Sequence, residues 1–130
     1  MAFDITKKRA ATNGDIELKN GDGSPMTDDK GNPLSVTVHS PASKQWEQAN
    51  AEVNRKRAER VRKNGNNITA AMENAKLDQI EFLCKVTISL NGFEVKGDDP
   101  IRALYEDDAL GFIRDHVYAE VNDWSAFTKG

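Results

Sequence analysis

The run from Leu34 to Lys63 constrains the fold most. Leu34-Ser-Val-Thr-Val38 alternates with period two, placing Leu34, Val36 and Val38 on one side of a strand. It leads directly into Ser40-Pro41, a helix-start pair. Ser40 can cap, and proline suits the first helical position because the N–H it lacks has no partner there. The spacing predicts a helix over 41–63 whose apolar stripe, Trp46, Ala49 and Val53, dissolves into Arg55-Lys-Arg-Ala-Glu-Arg-Val-Arg-Lys63. Six cations against Glu59 leave this block at +5, so no core covers that half of the helix all round. The charge complements the helix dipole, worth about 0.3–1 kcal/mol per cation at low salt. Asn64-Gly65 offers the stop, with Gly65 able to take a left-handed cap.

With 130 residues, 38% apolar and 30% charged, the chain can build one domain with a modest core. The first 33 residues hold only Phe3, Ile5, Ile16, Leu18 and Met26 as sizeable apolar groups. Residues 1–14 therefore read as a flexible tail, too poor in apolar surface to offset its ordering entropy. Asp15–Lys19 alternates and can pair with 34–38 as a hairpin over 15–38, joined by a mobile glycine- and proline-punctuated loop, 20–33. A second helix starts near Asn67 and carries Ile68, Met72, Ala75, Ile80, Leu83 and Cys84. Residues 85–96 admit two readings, a helix running to Leu90 or a hairpin around Asn91-Gly92. The nearly continuous apolar pattern from Leu77 to Leu90 favours the helix. Asp99-Pro100 opens a short helix to about Asp107. Asp107-Asp108 starts a last one, with Leu110, Ile113, Val117, Val121 and Trp124 facing the core. The expected class is α+β: a mainly helical domain of three to four helices, with a small N-terminal β-hairpin and a flexible tail. One domain spans 15–130, its helical body 67–127.

Catalytic chemistry finds little support. His39 at a strand end and His116 beside Asp115 lack a nucleophile and an orienting acid, and no His/Cys/Asp/Glu group has metal-ligand spacing. Asp22, Asp28 and Asp29 lack the order of a calcium loop, and Gly21-Asp-Gly23 lacks a phosphate loop's lysine. The expectation is a non-enzyme with no cofactor or metal. One cysteine, Cys84, excludes an internal disulfide and reads as a buried thiol. With no apolar leader and no apolar run near the roughly 18 residues of a span, the expected location is the cytosol.

Charge patterning points to contact. Residues 98–123 carry eight acids against Arg102 and Arg114, a local −6, opposite in sign to 55–63. Such fields favour contact within the molecule or between copies of it. The basic helix fits an acidic protein surface or, less well, nucleic acid, since it has almost no interleaved aromatics. Candidate partner-binding residues are Trp46, Arg55, Lys56, Arg57, Arg60, Arg62 and Lys63, with Phe112 and Tyr118 lying off the last helix's core stripe.

Several segments together resemble the tail assembly chaperones of long-tailed bacteriophages. These are Val-Thr-Val-His-Ser-Pro-Ala-Ser-Lys-Gln-Trp46, the arginine-rich helix, Ile88-Ser-Leu-Asn-Gly-Phe-Glu-Val-Lys-Gly97, Leu110-Gly-Phe-Ile-Arg-Asp-His-Val117, and Asn122-Asp-Trp-Ser-Ala-Phe127. The likeness covers roughly 15–127. It implies a protein that keeps the long helical tape measure protein soluble in the host cytoplasm, helps recruit tail tube subunits, and is absent from the mature virion. It carries no binding residue over. Charge complementarity adds the expectation that copies stack, basic 55–63 against acidic 98–123, into an open helical array. The rival readings are a small nucleic-acid-binding regulator acting through 55–63, or a structural tail or head-completion component.

Overall fold

The computed structural model describes residues 2–64 and 68–128. Among them, the chain forms a three-stranded antiparallel sheet covered on one face by helices. Strands β1 (Asn13–Glu17), β2 (Ser35–His39) and β3 (Thr87–Asn91) lie in that order across the sheet. Helices α1 (Lys44–Asn64), α2 (Ile68–Val86), α3 (Pro100–Glu106) and α4 (Gly111–Val121) complete the fold. This is the α+β, mainly helical class that the sequence predicts.

Pairing of Ile16 with Val36, and of Val36 with Leu90, puts the apolar members of all three strands on one face. Ile16, Leu18, Val36 and Val38 are buried there against Ile80, Leu83 and Val86 of α2, Leu104 and Tyr105 of α3, and Ile113, Val117 and Val121 of α4. The opposite face is polar. Thr37 donates to Asp15 at 2.6 Å, and the Asn91 amide donates to Ser35 and Thr37 at 3.1 and 2.9 Å. Alternation thus serves one buried and one solvated face.

Several expectations are corrected. The N-terminal hairpin begins earlier than 15, because Asn13 pairs with His39 and the Ala11 amide donates to the Phe127 carbonyl. Gly14 lets the Phe127 ring approach that strand closely: a Cβ there would stand 3.0 Å from the ring, which would have to give way. Of the expected tail, residues 2–9 are exposed throughout and Ala10 and Gly14 are partly buried. The 20–33 connection is built rather than open. Met26 inserts between the strand ends, its N–H donating to Leu18 and its carbonyl accepting from Leu34, both at 3.0 Å. Asp22 and Asp28 spend their carboxylates on turns, accepting from the backbone of Ser24 and of Lys30 and Asn32.

Helix α1 starts three residues later than predicted. The Ser40 hydroxyl donates to the Ala11 carbonyl and accepts from the Ala42 N–H at 3.1 Å, closing a turn at Ser40-Pro41 ahead of the helix. Ser43 is the cap instead, accepting from the Trp46 N–H at 3.1 Å. The predicted stop at Gly65 and start at Asn67 lie outside the described residues. Helix α2 ends at Val86, not Leu90, and 85–96 is not a hairpin either. Thr87 and Ile88 are β-branched, and β3 pairs with β2 rather than with 93–96, with a bulge at Ile88. The last helix is interrupted: a single turn, Asp108–Leu110, precedes α4, and α4 ends at Val121. Asp123 then caps a separate turn, 124–127, which buries Phe127 and leaves Trp124 54% exposed, off the core stripe expected for it.

Candidate functional site

Helices α1 and α2 form a hairpin of which only the base belongs to the core. Ala49 and Val53 of α1 and Ile80, Phe82 and Leu83 of α2 are buried. Beyond them, among the described residues, no buried core side chain lies on α1 from 54 to 63. What holds this arm together there is charge. Asp78, 5% exposed, accepts from Arg60 and from the Arg57 Nε at 3.4 Å. Arg57 and Arg60 continue the Val53 stripe at i+4 and i+7, so the cations occupy positions where a longer core would place apolar side chains. Glu52 bridges Lys85 at 2.9 Å and Lys56 at 3.5 Å, and the Lys85 contact holds its carboxyl below the usual range. Arg55 pairs with Glu59 along the helix.

The predicted basic surface is therefore mostly an internal feature of the arm. Arg55, Lys56, Arg57 and Arg60 face acids of α1 and α2, none of them from 98–123. Among the described residues, Arg62 and Lys63 have no acid within ion-pair distance and stand exposed near the tip. The arm also exposes apolar groups: Val61 at 59%, Met72 at 70% and Leu77 at 53%. The sequence reading placed Met72 and Leu77 in the apolar pattern of the second helix and proposed none of the three as a partner surface. The signal was available, since stripes that end in charge cannot bury their distal members. Asp78 was missed because Lys76-Leu-Asp-Gln79 reads as solvated surface until the facing helix is in place.

The acidic third is also largely committed. Arg102 donates to both oxygens of Glu81, at 2.8 and 3.2 Å, and lies near Asp99 and Glu106. The guanidinium holds Glu81 below the usual carboxylate range. Lys76 pairs with Asp108, and Gln79 donates to Asp115 at 3.3 Å. These contacts brace α2 against α3 and α4.

Of the aromatic candidates, Trp46 and Tyr118 are brought to one ledge. Both meet the buried Phe82 edge-on, with ring centroids at 5.7 and 5.9 Å. Trp46 is half-buried, and its indole N–H is buried without a protein acceptor. Phe112, 40% exposed, sits about 9 Å from Tyr118 along α4 on another side of the helix. The cations of 55–63 lie further along α1, so the predicted residues form no single patch.

His116 contacts the Glu17 carbonyl at 3.0 Å, tying α4 to β1. Cys84 is half-buried, and desolvation pushes its thiol up from 9.0 to about 11. The thiolate fraction of the folded chain at pH 8 is then about a hundredfold below that of the unfolded chain. Iodoacetamide should modify Cys84 correspondingly more slowly in buffer than in urea. Comparable rates would show the thiol to be open to water. Among the described residues no three His, Cys, Asp or Glu side chains group as a metal site, and no helix is long and apolar enough to cross a membrane. No protein-family model, curated protein or solved structure matches this chain.

Proposed function

We propose that this protein is a tail assembly chaperone of a long-tailed bacteriophage. It acts in the host cytoplasm, and the outer half of the α1–α2 arm is the surface that covers its client. The client in this reading is the tape measure protein, with tail tube subunits recruited around the covered chain and the chaperone absent from the finished virion. The observation that carries the reading is the arm itself, two long helices extended past their core and exposing Val61, Met72 and Leu77 as well as Arg62 and Lys63. A helical client lays its apolar stripe against such a pair as a third helix, by ridge-and-groove packing. Each contact is small, and many copies on one long client add through effective concentration. The nucleic-acid alternative is weakened by the ion pairs, since four of the six cations it requires already face acids.

Co-expression with the tape measure protein of the same phage tests the reading. The wild-type chain should raise the soluble fraction of that client several-fold. The Val61→Asp, Met72→Asp, Leu77→Asp variant, altered only at exposed positions, should lose most of that effect while keeping its own fold. A client that precipitates equally with and without the wild-type chain removes the chaperone reading. Full protection by the triple variant removes the arm as the surface.

A further inference from the structure

Beyond α1 and α2, a second surface stands open at the far edge of the sheet. β3 is an edge strand, paired with β2 on one side and, among the described residues, with no strand on the other. Next to its end lies an apolar groove of about 460 Å³, lined by Leu90, Phe93, Val95 and Ile101 and rimmed by the acids Glu94 and Asp99. Elsewhere on the same chain is a segment of the complementary kind. Residues 2–9 are exposed throughout, Phe3 at 64% and Ile5 at 73%, and they run into Lys7-Lys8-Arg9.

We propose that residues 2–9 of one copy seat, extended, in the Leu90–Ile101 groove of a second copy, joining copies head to tail. In extended form Phe3 and Ile5 point to the same side and fill the apolar floor. Lys7 and Arg9 follow on that side and meet Glu94 and Asp99. The single helical turn at Ile5–Lys8 that must open is short, buries no side chain and costs little. The occupant is a second copy because the segment leaves its own body at the wrong corner. Ala11 is pinned by Phe127 and Ser40 on the β1 edge, beyond Asn13, which pairs with His39. The groove lies beyond Asn91, which pairs with Ser35 at the opposite end of β2. In its own groove Arg9, two residues or about 7 Å of extended chain from the pinned Ala11, would have to cover about 10 Å across the sheet and about 13 Å along it to meet Glu94 and Asp99. A head-to-tail contact has donor and acceptor surfaces on different parts of the molecule, so it propagates as an open array unless its rotation closes. This inference stands apart from the client reading and uses different residues.

Sedimentation of the full chain over a concentration series up to about 1 mM tests it. The wild type should gain mass with concentration, and the Phe3→Asp, Ile5→Asp variant should stay monomeric. Glu94→Lys should weaken association about fivefold, as should Lys7→Glu with Arg9→Glu, and combining the two should restore it. A peptide of residues 2–10 should shift the NMR signals of Leu90, Phe93, Val95 and Ile101 in the F3D/I5D chain. A wild type that stays monomeric throughout overturns the proposal, including one whose own tail occupies the groove. Undiminished association of the F3D/I5D variant, or peptide shifts elsewhere, also overturns it.

Discussion

Replacing Asp78 with asparagine lowers the unfolding free energy by about 1–3 kcal/mol and loosens the outer half of the α1–α2 arm. The magnitude follows from which partner is solvated. Arg57 has a side chain 55% exposed, so it relaxes into water when the carboxylate goes, and its share is that of a surface pair, under about 1 kcal/mol. The Arg60 side chain is 28% exposed and already has a buried Nε without an acceptor. Losing Asp78 strands it further, and most of the cost lies there. Arg57→Met should therefore cost little. Arg60→Met should cost most of the effect of the Asp78 change, because it leaves a carboxylate that is 5% exposed facing Arg57 alone. The double replacement Asp78→Leu, Arg60→Leu should recover much of the loss, since breaking a buried pair is worse than removing it. Urea midpoints give the energies, and amide exchange over 54–63 reports the loosening. An Asp78→Asn midpoint equal to wild type would show that charge does not hold the arm.

How far the sequence foretold this depended on whether a residue's role is local. Asp99-Pro100 opening α3 and the Ile113–Val117–Val121 stripe rest on neighbours within one or two turns, and both are found as read, whereas the hairpin of 15–19 with 34–38 forms one residue out of that register, with Ile16 opposite Val36. Ser40 and Ser43 are both cap-type residues: Ser40 closes a turn onto the Ala42 N–H and is tied to Ala11, distant in sequence, while Ser43 accepts from Trp46 at the helix start. β3 follows α2 without a glycine or proline between them, so periodicity could not place the junction. The β-branched pair Thr87-Ile88 and Gly92, which adopts φ +89°, were the available signs. The predicted site fared differently. Its cations are where the sequence puts them, on one helix, but their solvation is a tertiary property. Asp78, from the next helix, turns Arg57 and Arg60 from a presented surface into an internal clamp. Trp46 and Tyr118 meet only because Phe82 lies between them.

The largest single effect is expected at Tyr105, which is fully buried and whose hydroxyl lies 2.8 Å from that of Thr87. Tyr105→Ala should cost about 3–5 kcal/mol, a large part of the stability of a domain this size, because it empties a ring-sized space where α3, β3 and the sheet meet. Tyr105→Phe keeps the ring and isolates the polar effect. It orphans the Thr87 hydroxyl, itself 7% exposed, at about 1–2 kcal/mol. Thr87→Val should cost a similar amount, and the Tyr105→Phe, Thr87→Val pair less than the sum, since no buried hydroxyl then lacks a partner. Burial also pushes the Tyr105 phenol up from 10.0 to about 12. A folded pKa above the unfolded one means stability that is complete below pH 10 and lost as pH rises towards 12, where the unfolded chain ionises first. Cys84, raised from 9.0 to about 11, adds a loss that begins nearer pH 9. The urea midpoint should therefore hold steady up to about pH 9 and fall above it, and Tyr105→Phe should flatten the upper part of that fall. A slope between pH 10 and 12 that is the same in wild type and Tyr105→Phe would mean that the phenol is not held neutral by the core.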